Sequence, residues 1–284
     1  MRKTILATTL VSALAIPGLA AAQQAPAAVQ SPHTISGNVG LYSSYRFRGI
    51  DQTFGKPALQ GGVDYSHASG LYLGNWNSNV NQGAGFPGGN LEMDFYGGWK
   101  NTWGDWGLDL GAIYYYYPGT NASATILFSP ANNRTGAIHS GRVDNAELYI
   151  GGSWKFLSLK YYQAVSDYFS APGTKNSHYL DFGAGYDLGN GWGINGHVGH
   201  LKLKNMINGD YTDWKLGVTK DIAGWVFAAS YIATNAKGDC NPAQLNQFYC
   251  FTNGSGSVVG SAFVADKSKD AGRSTVVLSV GKTF

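Results

Sequence analysis

The chain has 284 residues, among them 40 Gly, 18 Tyr and 8 Trp, and only 13% are charged, against about a quarter in an ordinary soluble domain. The formal net charge is +3, and without Arg2 and Lys3 at the N-terminus 18 basic residues face 17 acidic ones. That near balance, with no basic tract, argues against a nucleic-acid partner, while few charges and many aromatics point to contact with lipid.

In chain order, Met1-Arg2-Lys3 is followed by an apolar run from Thr4 to Leu19 and by Ala20-Ala21-Ala22, the layout of a cleaved secretory signal over residues 1–22. Residues 23–34 read as a flexible Pro- and Ala-rich leader, leaving 35–284 as the folded unit. Beyond the signal no run of about 18 apolar residues occurs, so any membrane-spanning structure has to be a closed barrel.

Period-two alternation of apolar and polar residues supports that reading. Leu91, Met93, Phe95 and Trp99 fall on one face of a strand, and Glu92, Asp94, Tyr96 and Lys100 on the other. Leu180, Phe182, Tyr186 and Leu188 oppose Asp181, Gly183 and Asp187, and Leu148, Ile150 and Trp154 oppose Asn145, Glu147 and Ser153. Strands are expected at 35–47, 57–67, 70–80, 90–100, 105–117, 143–156, 157–169, 177–188, 191–204, 211–220, 223–234 and 274–284. The third and seventh alternate poorly.

The predicted fold class is therefore all-β, a closed antiparallel transmembrane β-barrel of about 12 strands after a cleaved signal peptide. Connections alternate without a break between long (48–56, 81–89, 118–142, 170–176, 205–210, 235–273) and short (68–69, 101–104, 156–157, 189–190, 221–222), as external loops and periplasmic turns do. Cys240 and Cys250, in a Gly-, Asn- and Ser-rich stretch of the longest loop, are expected to form a disulfide. The last strand places Val276, Leu278, Val280 and Phe284 on one face, a terminal amphipathic signal for the barrel-assembly machinery of the bacterial outer membrane; Lys282 interrupts it.

The stretch Tyr45-Arg46-Phe47-Arg48-Gly49-Ile50-Asp51-Gln52-Thr53, with Gly55-Lys56-Pro57-Ala58-Leu59-Gln60-Gly61-Gly62 and, later, Glu92-Met93-Asp94-Phe95-Tyr96-Gly97-Gly98-Trp99 and Asp210-Tyr211-Thr212-Asp213-Trp214, resembles the TorF family of presumed porins (Gcw_chp). The resemblance implies a proteobacterial outer-membrane barrel and carries over no catalytic residue and no cofactor.

The phase of the first strand turns Arg46 and Arg48 toward the lumen, where they either bind anions or, the preferred reading, pair with carboxylates such as Asp64, Glu92 or Asp94. Asp109, Glu147, Lys155, Lys160, Asp181, Asp213 and Lys215 are further inward candidates, mixed in sign, so they set no ion preference. His197 and His200, three positions apart on a strand, point to opposite faces and make no metal pair. Tyr114 to Tyr117 and Trp76, Trp99, Trp103, Trp106, Trp192, Trp214 and Trp225 fit aromatic girdles at the membrane interfaces. The function expected is a non-enzymatic channel for passive diffusion of small hydrophilic solutes. The rivals are a plugged structural or adhesive barrel, a lipid-acting barrel enzyme, for which no triad is identifiable, and a soluble lipocalin-like barrel.

Overall fold

The computed structural model describes residues 31–121, 141–241, 247–252, 256–259, 262–265 and 267–284. The expected signal, 1–22, and residues 23–30 of the leader lie outside the described residues, whereas His33 and Thr34, assigned to the leader, already belong to the first strand.

Twelve antiparallel strands close into one barrel. They are β1 (His33–Tyr42), β2 (Ala58–His67), β3 (Leu71–Asn79), β4 (Leu91–Trp103), β5 (Trp106–Tyr116), β6 (Asp144–Trp154), β7 (Leu157–Ala164), β8 (His178–Gly189), β9 (Trp192–Lys202), β10 (Tyr211–Ile222), β11 (Trp225–Thr234) and β12 (Thr275–Thr283). Each pairs with the next, and β12 pairs with β1 in the register Asn38↔Thr283, so no edge remains to present unpaired backbone to hydrocarbon. Reciprocal backbone bonds between Gly37 and Phe284, 3.2 and 2.8 Å, tie the last residue to the first strand.

The alternation in sequence becomes an inside and an outside. Ile35 (73% exposed), Leu73, Phe182, Leu216 and Leu278 stand on the outer wall, and Glu92, Asp94, Glu147, Asp181 and Asp213 are buried on the inner one. The weak alternation of β3 has a local cause: Asn75 and Asn77 stand on its outer face but bond to the Asp94 and Gly61 carbonyls of the neighbouring strands, and Asn79 bonds to the Leu59 amide and the Pro57 carbonyl.

Several boundaries differ from the sequence reading. The first strand stops at Tyr42 instead of 47, because the chain leaves the wall and turns into the lumen; the seventh stops at Ala164 for a shorter excursion over 165–177. Two hairpin turns fall later than expected, at Asn190-Gly191 (φ 53° and 76°) and Ala223-Gly224 (φ 54° and 81°). Left-handed backbone at both central positions suits the strand twist, which places glycine second and fixes the register. Lys155, expected on the inner face, instead occupies the hairpin turn between β6 and β7 (φ 53°) and pairs with Asp105 at 3.8 Å. Trp76 is no girdle residue: it is fully buried in the lumen, edge-on to Tyr45. The tyrosine tract splits, Tyr115 and Tyr117 buried inside and Tyr114 outside.

Candidate functional site in the barrel lumen

The connection from β1 to β2, residues 43–57, folds into the bore. A short antiparallel pair, Arg46-Phe47 with Ile50-Asp51, turns at Arg48 (φ 47°) and Gly49 (φ 81°). In a ring of twelve, β7 is the strand farthest from β1, and Arg48 reaches it. Its guanidinium makes a bidentate pair with Glu147 of β6 at 2.9 and 2.7 Å, donates to the Tyr168 hydroxyl at 3.1 Å, and lies 5.0 Å from the Tyr162 ring of β7 and 4.3 Å from the Tyr179 ring of β8. Twelve strands about 4.8 Å apart and tilted about 40° make a cylinder roughly 24 Å across. Six residues of extended chain span at most about 20 Å, so the last few ångströms of the crossing need a long side chain.

The rest of the loop is fastened along the way. Tyr45 donates to Glu92 Oε1 at 3.2 Å, and Phe47 packs edge-on against Tyr115 and Phe169. Asp51 pairs with Lys269 at 3.0 Å and with Arg46 at 3.6 Å, and its backbone amide donates to the Ala271 carbonyl at 2.9 Å. Arg46 donates to the carbonyls of Ala271 and Arg273. The pairing expected of the two arginines therefore exists, but with Asp51 and Glu147, and both arginines sit on an inserted loop instead of the wall. The buried Phe47, which the phase of the first strand would turn outward to lipid, reports the same departure.

Around this loop the long-loop half of the lumen is packed. Glu92 and Asp94, two residues apart on β4, are buried, and Glu92 Oε2, Asp94 Oδ1 and the facing Trp76 Nε1 have no partner among the described residues. His197 sits between Asp181 at 3.0 Å and Asp213 at 3.4 Å, with Lys215 beside it in register, whereas His200 faces outward and bonds to Thr212.

The short-turn half is built differently. Lys160 pairs with Asp109 at 2.8 Å over the Tyr149 ring, and Tyr72 donates to Asp109 at 2.6 Å. Asp64 accepts from Tyr96. The tyrosines lie along the wall over glycines of neighbouring strands: a Cβ on Gly111 would stand 2.5 Å from the Tyr149 ring, and one on Gly98 2.8 Å from the Tyr72 hydroxyl. Inward glycine leaves a flat recess for the ring, which keeps large side chains off the barrel axis.

A family profile described as "Bacterial protein of unknown function (Gcw_chp)" matches residues 26–284. The chain belongs to this family. No curated protein is similar to this Gcw_chp chain in sequence. Among solved structures it is similar to the KdgM porin in complex with disordered oligogalacturonate (7% identity, 88% of this chain and 97% of that one, TM-score 0.47). It is similar also to the NanC porin (9%, 88% and 99%, 0.45) and to OmpT of Vibrio cholerae (11%, 89% and 97%, 0.39).

Sequence reasoning on this Gcw_chp member missed the aromatic seat of Arg48, because Tyr162, Tyr168 and Tyr179 converge only through the closure of the barrel. It also missed the Lys269 contact with Asp51, which joins residues 218 positions apart. The available signal was Arg48-Gly49 itself, a pair whose glycine invites a turn in what otherwise reads as a strand.

Proposed function

We propose that the protein is an outer-membrane porin for small hydrophilic solutes, with the short turns in the periplasm and the bore restricted on the external side by the in-folded loop 43–57. The observation that supports this best is the clustering of charge on the inner wall: Asp64, Glu92, Asp94, Asp109, Glu147, Asp181, Asp213 and Lys215 all stand on inward strand positions. A barrel with only structural duties would gain more from an apolar filling, since buried charges rarely repay their desolvation. In this reading those side chains, with Arg46 and Arg48, line the path, and the chemistry is diffusion without catalysis. The assembly machinery would recognise Val276, Leu278, Val280 and Phe284, which share the outer face of the closing strand.

The packing around Arg48 favours a second reading, a barrel plugged at rest whose loops do the work. Single-channel conductance of the refolded protein in a planar bilayer separates the two. A porin gives stable steps, with Asp94→Ala shifting selectivity toward anions and Arg46→Ala toward cations. A folded, silent barrel whose variants are equally silent identifies the plug.

A further inference from the structure

The outer wall holds a feature that diffusion through the bore does not use. On β8 and β9 the outward positions read, from the long-loop rim downward, His178 opposite Lys202, Leu180 opposite His200, and Phe182 opposite Val198. Leu180, Phe182 and Val198 are 44%, 49% and 52% exposed, so they belong to the apolar band that faces acyl chains. Successive residues of a strand rise about 3.4 Å, so the wall changes from cationic to apolar within roughly 10 Å, the depth at which headgroups end and hydrocarbon begins.

Directly at that rim lies a cleft of about 610 Å³ lined by His178, Lys202, Lys204, Asn176, Asn205 and Asp210, with Met206 and Ile207 supplying an apolar side. Ile207 is 56% exposed. Lys202 is held by Asp210, whose other oxygen accepts from the Leu203 amide, so the ammonium is fixed in place at the cleft. Lys204 is exposed and has no ion pair among the described residues; the same holds for Lys175 in the adjacent loop. Asp210 is the one acid among the described lining residues. The rim differs at β3, which presents Asn77 and Asn79 at the corresponding outward positions.

We propose that this cleft is a binding site for a phosphorylated lipid headgroup of the surrounding leaflet, with Lys202 and Lys204 contacting the phosphate, His178 at its margin, and Met206 and Ile207 against the lipid's apolar part. Cationic pockets at the border of a membrane-spanning surface hold anionic headgroups through charge and shape together. The inference rests on the membrane orientation of the proposed function, but not on conduction.

Native mass spectrometry of the full mature chain released from phosphatidylcholine nanodiscs doped with lipid A tests it. The wild type should retain lipid A adducts. Lys202→Gln with Lys204→Gln should weaken retention by about 30-fold, the loss expected for two cations beside an anionic surface. Lys220→Gln, at the opposite rim, should change nothing. Equal retention by wild type and the double variant overturns the site, and competition by inorganic phosphate as effective as by lipid A overturns the assignment to lipid. A barrel that inserts and binds lipid A but is silent in the bilayer removes the porin reading alone. A chain that does not enter nanodiscs removes both.

Discussion

Arg48 carries the heaviest electrostatic load in the lumen, because a buried guanidinium is tolerable only while both its carboxylate and its aromatic neighbours stay in place. Arg48→Ala leaves Glu147 buried without its partner, and Glu147→Gln leaves the guanidinium so. Each single variant should cost about 3 to 5 kcal/mol of loop seating, against a much smaller loss in an Arg48→Met, Glu147→Leu double variant. Limited proteolysis within 43–57, read as a cleavage rate in detergent micelles, reports that difference; equal rates in the singles and the wild type would sink it. Gly49 makes an independent residue-scale test. Its φ of 81° is strained for any L side chain, and an added Cβ would fall 2.9 Å from Asp213 Cβ and closer still to Thr234 Cγ2. Gly49→Ala should therefore unseat the same loop without touching a charge, raising cleavage as Arg48→Ala does.

Among elements, the longest connection and the in-folded loop act as one unit. Cys240 and Cys250 are joined, ten positions apart, and Cys250 pairs in a short ladder with Asp270, next to the Ala271 carbonyl that receives both Arg46 and the Asp51 amide. A closed loop of this size restricts the open chain by roughly 3 kcal/mol. Replacing both cysteines by serine should leave the barrel's heat-resistant migration on gels intact while raising cleavage in both 235–274 and 43–57; cleavage confined to the first of these would show that the two are uncoupled. Lys282, the interruption in the terminal strand, is explained at this scale too. Its ammonium lies 5.2 Å from the Trp225 ring and 5.5 Å from Phe284, so the stem covers aromatic surface while the charge sits at the short-turn interface. What the alternation of residues made legible was the wall: strand number, facing and the long–short rhythm of connections all follow from a period of two and the need to satisfy every backbone group. The inserted loop was not legible, because Arg46, Phe47 and Arg48 continue the alternation of β1 in sequence and depart from it only through contacts with the Ala271 carbonyl, Tyr115 and Glu147, which the closed ring brings near.

For the whole molecule, the division of labour between wall and loop makes one experiment decisive. The wall closes without the loop: all twelve strand pairings and the Gly37–Phe284 bonds are made outside 43–57, so its hydrogen bonding and its lipid-facing surface survive the loop's removal. The long-loop half of the bore, by contrast, is filled by this segment reaching from β1 to the strands opposite it, while the short-turn half keeps its tyrosines flat against glycine recesses. Replacing 44–56 by a short Gly-Ser linker should then yield a folded barrel with several-fold higher single-channel conductance and weaker discrimination between ions, because the constriction leaves and the wall charges stay. The charges freed by the change, Glu92, Asp94 and Glu147, outnumber the cations near them once Arg46 and Arg48 are gone, so the enlarged pore should prefer cations. An unchanged conductance in a demonstrably folded variant would place the restriction in the wall side chains instead, and an anion preference would mean that Lys160 and Lys215 dominate the field along the axis.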